Sequence, residues 1–113
     1  MRSKIVALSK NEEFKSLLKK KKVSNKYATI FFGKLDKKNN DKLNISFVTK
    51  KKIGNAVQRN KIKRRLRNIT NEAVKKIAIK FKYSYLVIAK PTMLSNEYAN
   101  IKETLFQSFE KIK

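Results

Sequence analysis

Between Lys50 and Arg67 the chain carries Lys50, Lys51, Lys52, Arg59, Lys61, Lys63, Arg64, Arg65 and Arg67, and no acidic residue occurs from Lys42 through Asn71. At the roughly 100° per residue of an α-helix, Arg59, Lys63 and Arg67 stack along one edge of an apolar seam with Asn60 beside them, while Lys61 and Arg65 fall on the far side. Like charges at that spacing cost a helix a few tenths of a kcal/mol per pair, unless an anion lies against them. Phosphates supply that anion, and guanidinium groups hold them bidentately. A carboxamide such as that of Asn60 can bond a base edge or a ribose hydroxyl. The chemistry written in this stretch is polyanion recognition.

The rest of the composition argues against a catalytic centre. The chain has no Cys and no His, so it offers no disulfide, no thiolate zinc site and no imidazole base near neutral pH. Its acids, Glu12, Glu13, Asp36, Asp41, Glu72, Glu97, Glu103 and Glu110, are scattered. A metal-dependent nuclease would need several of them to converge on folding. No catalytic residue and no metal ligand is assigned, and no cofactor is expected on the protein alone.

A net charge of +22 on 113 residues opposes compaction until a polyanion relieves it. No apolar run approaches the roughly 18 residues of a spanning helix, and the N-terminus lacks an apolar signal-like stretch. Nucleic acid is therefore favoured over a membrane or a small-molecule substrate, and a cytoplasmic location is expected. With 41% hydrophobic residues, seven Phe and four Tyr, the chain can build a core, and residues 1–113 fit a single domain.

Periodicity assigns the elements that must position the cations. Ser9 and Glu12 form a capping-box pattern, and Phe14, Leu17 and Leu18 mark a short first helix ending in Lys19–Lys22;. In the strand Tyr27–Leu35, Ala28, Ile30 and Phe32 point one way while Thr29 and Phe31 point the other;. After a turn at Asp36–Asp41, Leu43–Thr49 is a second strand, and an antiparallel hairpin is expected;. A shorter strand near Val23 can pair at its edge. From Ala56 to about Lys80, Ile62, Leu66, Ile69, Ala73 and Ile77 recur at helical spacing;. Gly54 gives the chain freedom to turn into that helix. Tyr83–Ala89 reads as a buried strand closed by Pro91, and Tyr98, Ile101, Leu105, Phe109 and Ile112 mark a final helix capped by Ser95;. Tyr83, Tyr85 and Phe109 belong to the core. The order is αβββαβα, a two-layer α+β sandwich.

The stretch Lys51-Lys52-Ile53-Gly54-Asn55-Ala56-Val57-Gln58-Arg59-Asn60-Lys61-Ile62-Lys63-Arg64-Arg65-Leu66-Arg67 closely resembles the Arg-Asn-Arg signature region of the protein subunit of bacterial ribonuclease P. The opening Leu8-Ser9-Lys10-Asn11-Glu12-Glu13-Phe14, the chain length and the order of elements are similar to that family too, so the resemblance covers nearly the whole domain. It implies a mixed four-stranded sheet with a left-handed crossover around the signature helix. It also implies an accessory role in an endoribonuclease that removes the 5′ leader from precursor tRNA, with catalysis by an RNA subunit and magnesium held mainly by that RNA. The protein would be a monomer, one per RNA subunit. By the same resemblance, Lys51, Lys52, Asn55, Arg59, Asn60, Lys63, Arg64 and Arg67 would lie against RNA. A cleft between the first helix and the sheet, at Phe14, Leu18, Ile30 and Phe32, would receive the single-stranded leader. Leu18 stands where an aromatic is common, Phe32 where a Tyr hydroxyl is often present, and Lys61 where the signature has its second Arg. Lys61 keeps the charge and loses the guanidinium fork.

Composition alone would rank a ribosomal protein first, and the signature decides against that. A self-standing nuclease lacks its base and its converging acids. No helix-turn-helix pattern supports DNA binding, and the basic helix lacks the bulky exposed apolar face that lipid insertion needs. On pattern alone, Phe14, Leu18, Ile30 and Phe32 would be core residues.

Overall fold

The computed structural model describes residues 5–8, 11–35, 42–95 and 97–112. Along the chain lie β1 (Ile5–Val6), α1 (Asn11–Leu18), β2 (Lys21–Ser24), β3 (Ala28–Gly33), β4 (Leu43–Val48), α2 (Ala56–Lys76), β5 (Ser84–Ala89) and α3 (Tyr98–Lys111). Short 3-10 turns at Lys51–Ile53 and Pro91–Ser95 precede α2 and α3. Ser9 and the Asp36–Asp41 turn lie outside the described residues.

The sheet runs β1-β4-β5-β3-β2. β5 pairs antiparallel with β3 (Val87 opposite Ile30) and parallel with β4 (Val87 opposite Phe47), so the sheet is mixed and β4 reaches β5 by a crossover through α2. The hairpin expected between β3 and β4 does not form, because β5 lies between them. Its sequence, SYLVIA, is buried along nearly its whole length. A strand apolar on both faces is most stable in the middle of a sheet, covered on each side.

α1 ends at Leu18 rather than running into the lysines. Lys21 and Lys22 instead begin the edge strand β2, which pairs antiparallel with β3 through Val23 and Ile30. Exposed lysines on an edge strand discourage further strand addition. The strand near Val23 is thus present and at the edge, as the sequence suggests. α2 stops at Lys76, with Ile77 already extended. Ser95 does not cap α3: it closes the 3-10 turn, and Glu97 occupies the N-cap position without a side-chain cap bond.

Two apolar clusters hold the sandwich. On one face Ile30, Phe32, Ile45, Tyr85 and Val87 pack under Ile62, Leu66, Ile69 and Ala73 of α2 and Ile101, Leu105 and Phe109 of α3. Phe32, Tyr83, Tyr85 and Phe109 form a chain of edge-on ring contacts, with centroids 5.4, 6.4 and 6.0 Å apart. Tyr85 and Phe109 are buried in this core and Tyr83 packs against it. Burial pushes the Tyr85 phenol well above its ordinary range, and its hydroxyl donates to the Lys80 carbonyl at 2.6 Å. On the other face α1 lies across the sheet, and Leu17 joins Leu8 and Leu86 in a smaller cluster flanked by Phe14, Phe31, Val48 and Ile88. An ion pair at 3.2 Å links Glu72 of α2 to Lys102 of α3; being half-exposed, it contributes little.

Candidate RNA interface

The cationic row is delivered by β4, a 3-10 turn and a capped helix. Ile53 is buried and anchors the turn, which leaves Lys51 and Lys52 exposed. Gly54 has φ 161, an extended backbone open to any residue, so freedom to turn is not why glycine stands there. A Cβ at this position would collide with the Gln58 side chain. Gln58 needs that room: its Oε1 accepts from the Asn55 backbone N–H at 2.9 Å, while Asn55 Oδ1 accepts from the Gln58 N–H at 2.9 Å. This reciprocal capping box satisfies two N–H groups that the start of a helix otherwise leaves without partners. The oxygen of Asn55 is therefore engaged in holding α2. Asn55→Ala is expected to lower stability by about 1 kcal/mol, measured by denaturant unfolding. An unchanged midpoint would leave the cap without energetic weight.

Along α2 the seam of Ile62, Leu66, Ile69, Thr70 and Ala73 is buried. Asn60, Lys63, Arg64 and Arg67 are exposed. Arg59 is half-buried, and its Nε is buried with no hydrogen-bond partner among the described residues. Its side chain thus packs against the fold far enough to take part of the guanidinium out of solvent. The expected cationic edge exists, with Lys61 on the opposite side of the seam.

Next to this row lies a groove of roughly 520 Å³, lined by Phe14 of α1, Ala7, residues 45–49 at the end of β4, and Lys63 and Arg67 of α2. β1 pairs with β4 only at Leu43 and Asn44, so it stops short of this segment. The groove brings a half-buried aromatic against two cations of the helix. Leu18, one turn further along α1, is 48% exposed.

Ile30 and Phe32 do not join them. They are 0% and 8% exposed and lie beneath α2 and α3, on the opposite face of the sheet from α1. The residue of β3 that faces α1 is Phe31, which packs with Phe14, Val48 and Ile88 and has Lys22 Nζ 5.9 Å from its ring centroid. Period-two alternation separates Phe31 from its neighbours in the sequence, but both faces of this strand are apolar. Lysines do not distinguish them either, since Lys22 pairs with Phe31 and Lys21 with Phe32 across β2 and β3.

A family model, Ribonuclease P, matches residues 3–113. The chain belongs to the ribonuclease P protein family. The ribonuclease P protein component of Bacillus pumilus is 37% identical over 105 residues, covering 92% of this chain and 85% of the relative. That of Mycoplasma mycoides is 32% identical over 106 residues, covering 94% of each. The solved RNase P protein of Staphylococcus aureus superposes with a TM-score of 0.80 at 26% identity, covering 95% of this chain and 94% of that one. The RNase P protein of Thermotoga maritima shares the fold, with a TM-score of 0.80 at 23% identity over 96% and 98% of the two chains. As a ribonuclease P protein, the chain is the RNA-binding protein component of an endoribonuclease of tRNA 5′ processing. The ribosomal and DNA-binding readings are thereby set aside. Among the described residues no group of three or more Asp or Glu is placed to hold a metal ion, and no helix is long and apolar enough to cross a membrane.

Proposed function

We propose that the exposed face of the Lys51–Ile53 turn and of α2 binds the catalytic RNA of ribonuclease P, and that the groove at Phe14 receives the single-stranded 5′ leader of precursor tRNA. The observation that carries this reading is the groove itself, which sets Phe14 beside Lys63 and Arg67. Lys51, Lys52, Arg59, Asn60 and Arg64 continue the cationic surface from it. Cations neutralise phosphates and release their counterions, which supplies affinity without sequence preference. An aromatic next to them adds base stacking worth roughly 1 to 3 kcal/mol per base. The apolar residues next to Phe14 that would meet the leader are Phe31, packed with it on the α1 face, and the exposed Leu18, in place of Ile30 and Phe32. Bond cleavage falls to the RNA subunit, with magnesium held mainly by that RNA. The protein acts in the cytoplasm as a monomer, one per RNA subunit, by binding precursor better than mature tRNA.

The test is cleavage of a precursor tRNA at low magnesium by the catalytic RNA, with and without the protein. The reading requires cleavage at the mature 5′ end to rise only when both are present. Cleavage by the protein alone would restore the nuclease alternative. Phe14→Ala is expected to reduce the preference for precursor over mature tRNA by about tenfold, the loss of one stacked base, while the far-ultraviolet circular dichroism stays unchanged. Loss of folding would instead return Phe14 to a purely packing role.

A further inference from the structure

Lysines outside the signature segment also converge. Lys20, Lys21 and Lys34 meet Gly33, Phe32 and Tyr83 around a pocket of roughly 280 Å³, where β2 begins, β3 ends and the chain enters β5. None of the residues lining it is acidic. β4 and β5 run parallel, and α2 leaves the far end of β4. The pocket therefore sits at the opposite end of the sheet from the start of the signature helix.

Separate structural roles do not account for three cations round one concavity. Lys20 follows the end of α1 and can complement its dipole, and Lys21 guards the edge of β2, but neither role calls for Lys34 at the same concavity. Like charges gathered round a concavity repel one another until an anion enters it. The backbone makes room for the arrangement: a Cβ at Gly33 would collide with the Lys20 side chain, which lies across it. Lys82 holds its Nζ 5.1 Å from the centroid of Tyr83, adding a cation at the aromatic part of the rim. α1 leads from the groove to this end of the sheet, and the pocket lies round that end, its wall of Phe32 and Tyr83 belonging to the face opposite α1. The helix packs on β3 and β5, sets Phe14 beside Lys63 and Arg67, and ends at the exposed Leu18, two residues before Lys20.

We infer that this pocket is a second contact site for single-stranded RNA, and that its occupant is the part of the 5′ leader lying beyond the groove. The ammonium groups of Lys20, Lys21 and Lys34 hold phosphates, and Tyr83 with the edge of Phe32 gives a base or ribose an apolar wall. The inference rests on the leader-binding reading of the groove.

The experiment measures equilibrium binding of reconstituted holoenzyme to mature tRNA and to precursors with leaders of about 4 and about 16 nucleotides, which bracket the span of single-strand-binding folds. The variant K20Q/K21Q/K34Q keeps the aliphatic stems and removes the charges. It is expected to lose about tenfold in affinity for the long leader and to stay within about twofold of the parent on the short one. With the long leader its log–log salt slope should fall by about two, given roughly 0.7 per phosphate neutralised on a single strand. G33A, which displaces Lys20, should show part of the same length-dependent loss. The control K26Q/K102Q/K111Q removes as many lysines, from the β2–β3 turn and α3 and so away from both sites and from α2, and should leave the length dependence intact. Equal losses on both leaders, no loss on either, or a control that matches the variant would each overturn the second site. Unmodified holoenzyme that binds mature tRNA as well as both precursors would overturn the leader-binding reading itself. If the parent prefers precursor and the variant behaves identically, only the second site falls.

Discussion

Replacing Arg67 by alanine is expected to weaken binding of the protein to the catalytic RNA by about tenfold to a hundredfold, and Arg59→Ala to do at least as much. A charge-assisted hydrogen bond is worth roughly 1.5 to 3 kcal/mol, and each guanidinium can hold a phosphate through two of them. The more diagnostic quantity is the salt dependence. For every duplex phosphate that is no longer neutralised, the slope of log K against log salt should fall by about 0.9, so the double variant should flatten it by nearly two. The positions differ in one respect. Arg67 is exposed, whereas Arg59 is half-buried with its Nε out of solvent, so Arg59→Ala also removes packing. Arg59→Lys separates the effects, keeping charge while losing the planar fork. Weaker binding with an unchanged salt slope in Arg67→Ala would rule out a phosphate contact there.

The second large effect distinguishes the two faces of β3. Ile30→Ala should destabilise the domain by about 2 to 5 kcal/mol, the usual cost of a cavity left by a buried aliphatic side chain. Ile30 is fully buried in the larger core, opposite Val87. Any effect of that substitution on RNA should follow the loss of folded protein. Phe31→Ala, one residue on, should leave most of the stability in place and selectively reduce the preference for precursor over mature tRNA, because Phe31 lies on the face crossed by α1 beside Phe14. Urea unfolding of both variants, with precursor and mature tRNA binding measured below the transition, checks the contrast. A folded Ile30→Ala variant that loses precursor preference while Phe31→Ala retains it would invert the assignment of faces.

That contrast marks the boundary between local and tertiary information. The spacing of Ile62, Leu66, Ile69 and Ala73 placed one seam of α2 inside, and the same spacing placed Arg59, Lys63 and Arg67 together on its edge. Both are properties of a single helix, independent of its neighbours. The missing His and Cys and the gap in acids were equally direct, and they pointed to a polyanion such as nucleic acid rather than to catalysis by the chain. The cap joining Asn55 and Gln58 is local as well, since its partners are three residues apart.

What the sequence could not decide involves partners distant along the chain. Alternation in β3 separates Ile30 and Phe32 from Phe31, but with apolar residues on both sides it does not say which side α1 covers. Adjacent strands in sequence suggest a hairpin, yet the pairing of β3 and β4 through an intervening β5 depends on burying both faces of SYLVIA at once. Whether Lys21 ends a helix or starts an edge strand is settled by its pairing opposite Phe32. The groove exists only because α1, β4 and α2 meet there, and the lysine pocket only because the ends of β2, β3 and β5 do. Charge and periodicity are local properties and determined the kind of ligand; the surfaces that receive it are made by the packing of separate elements.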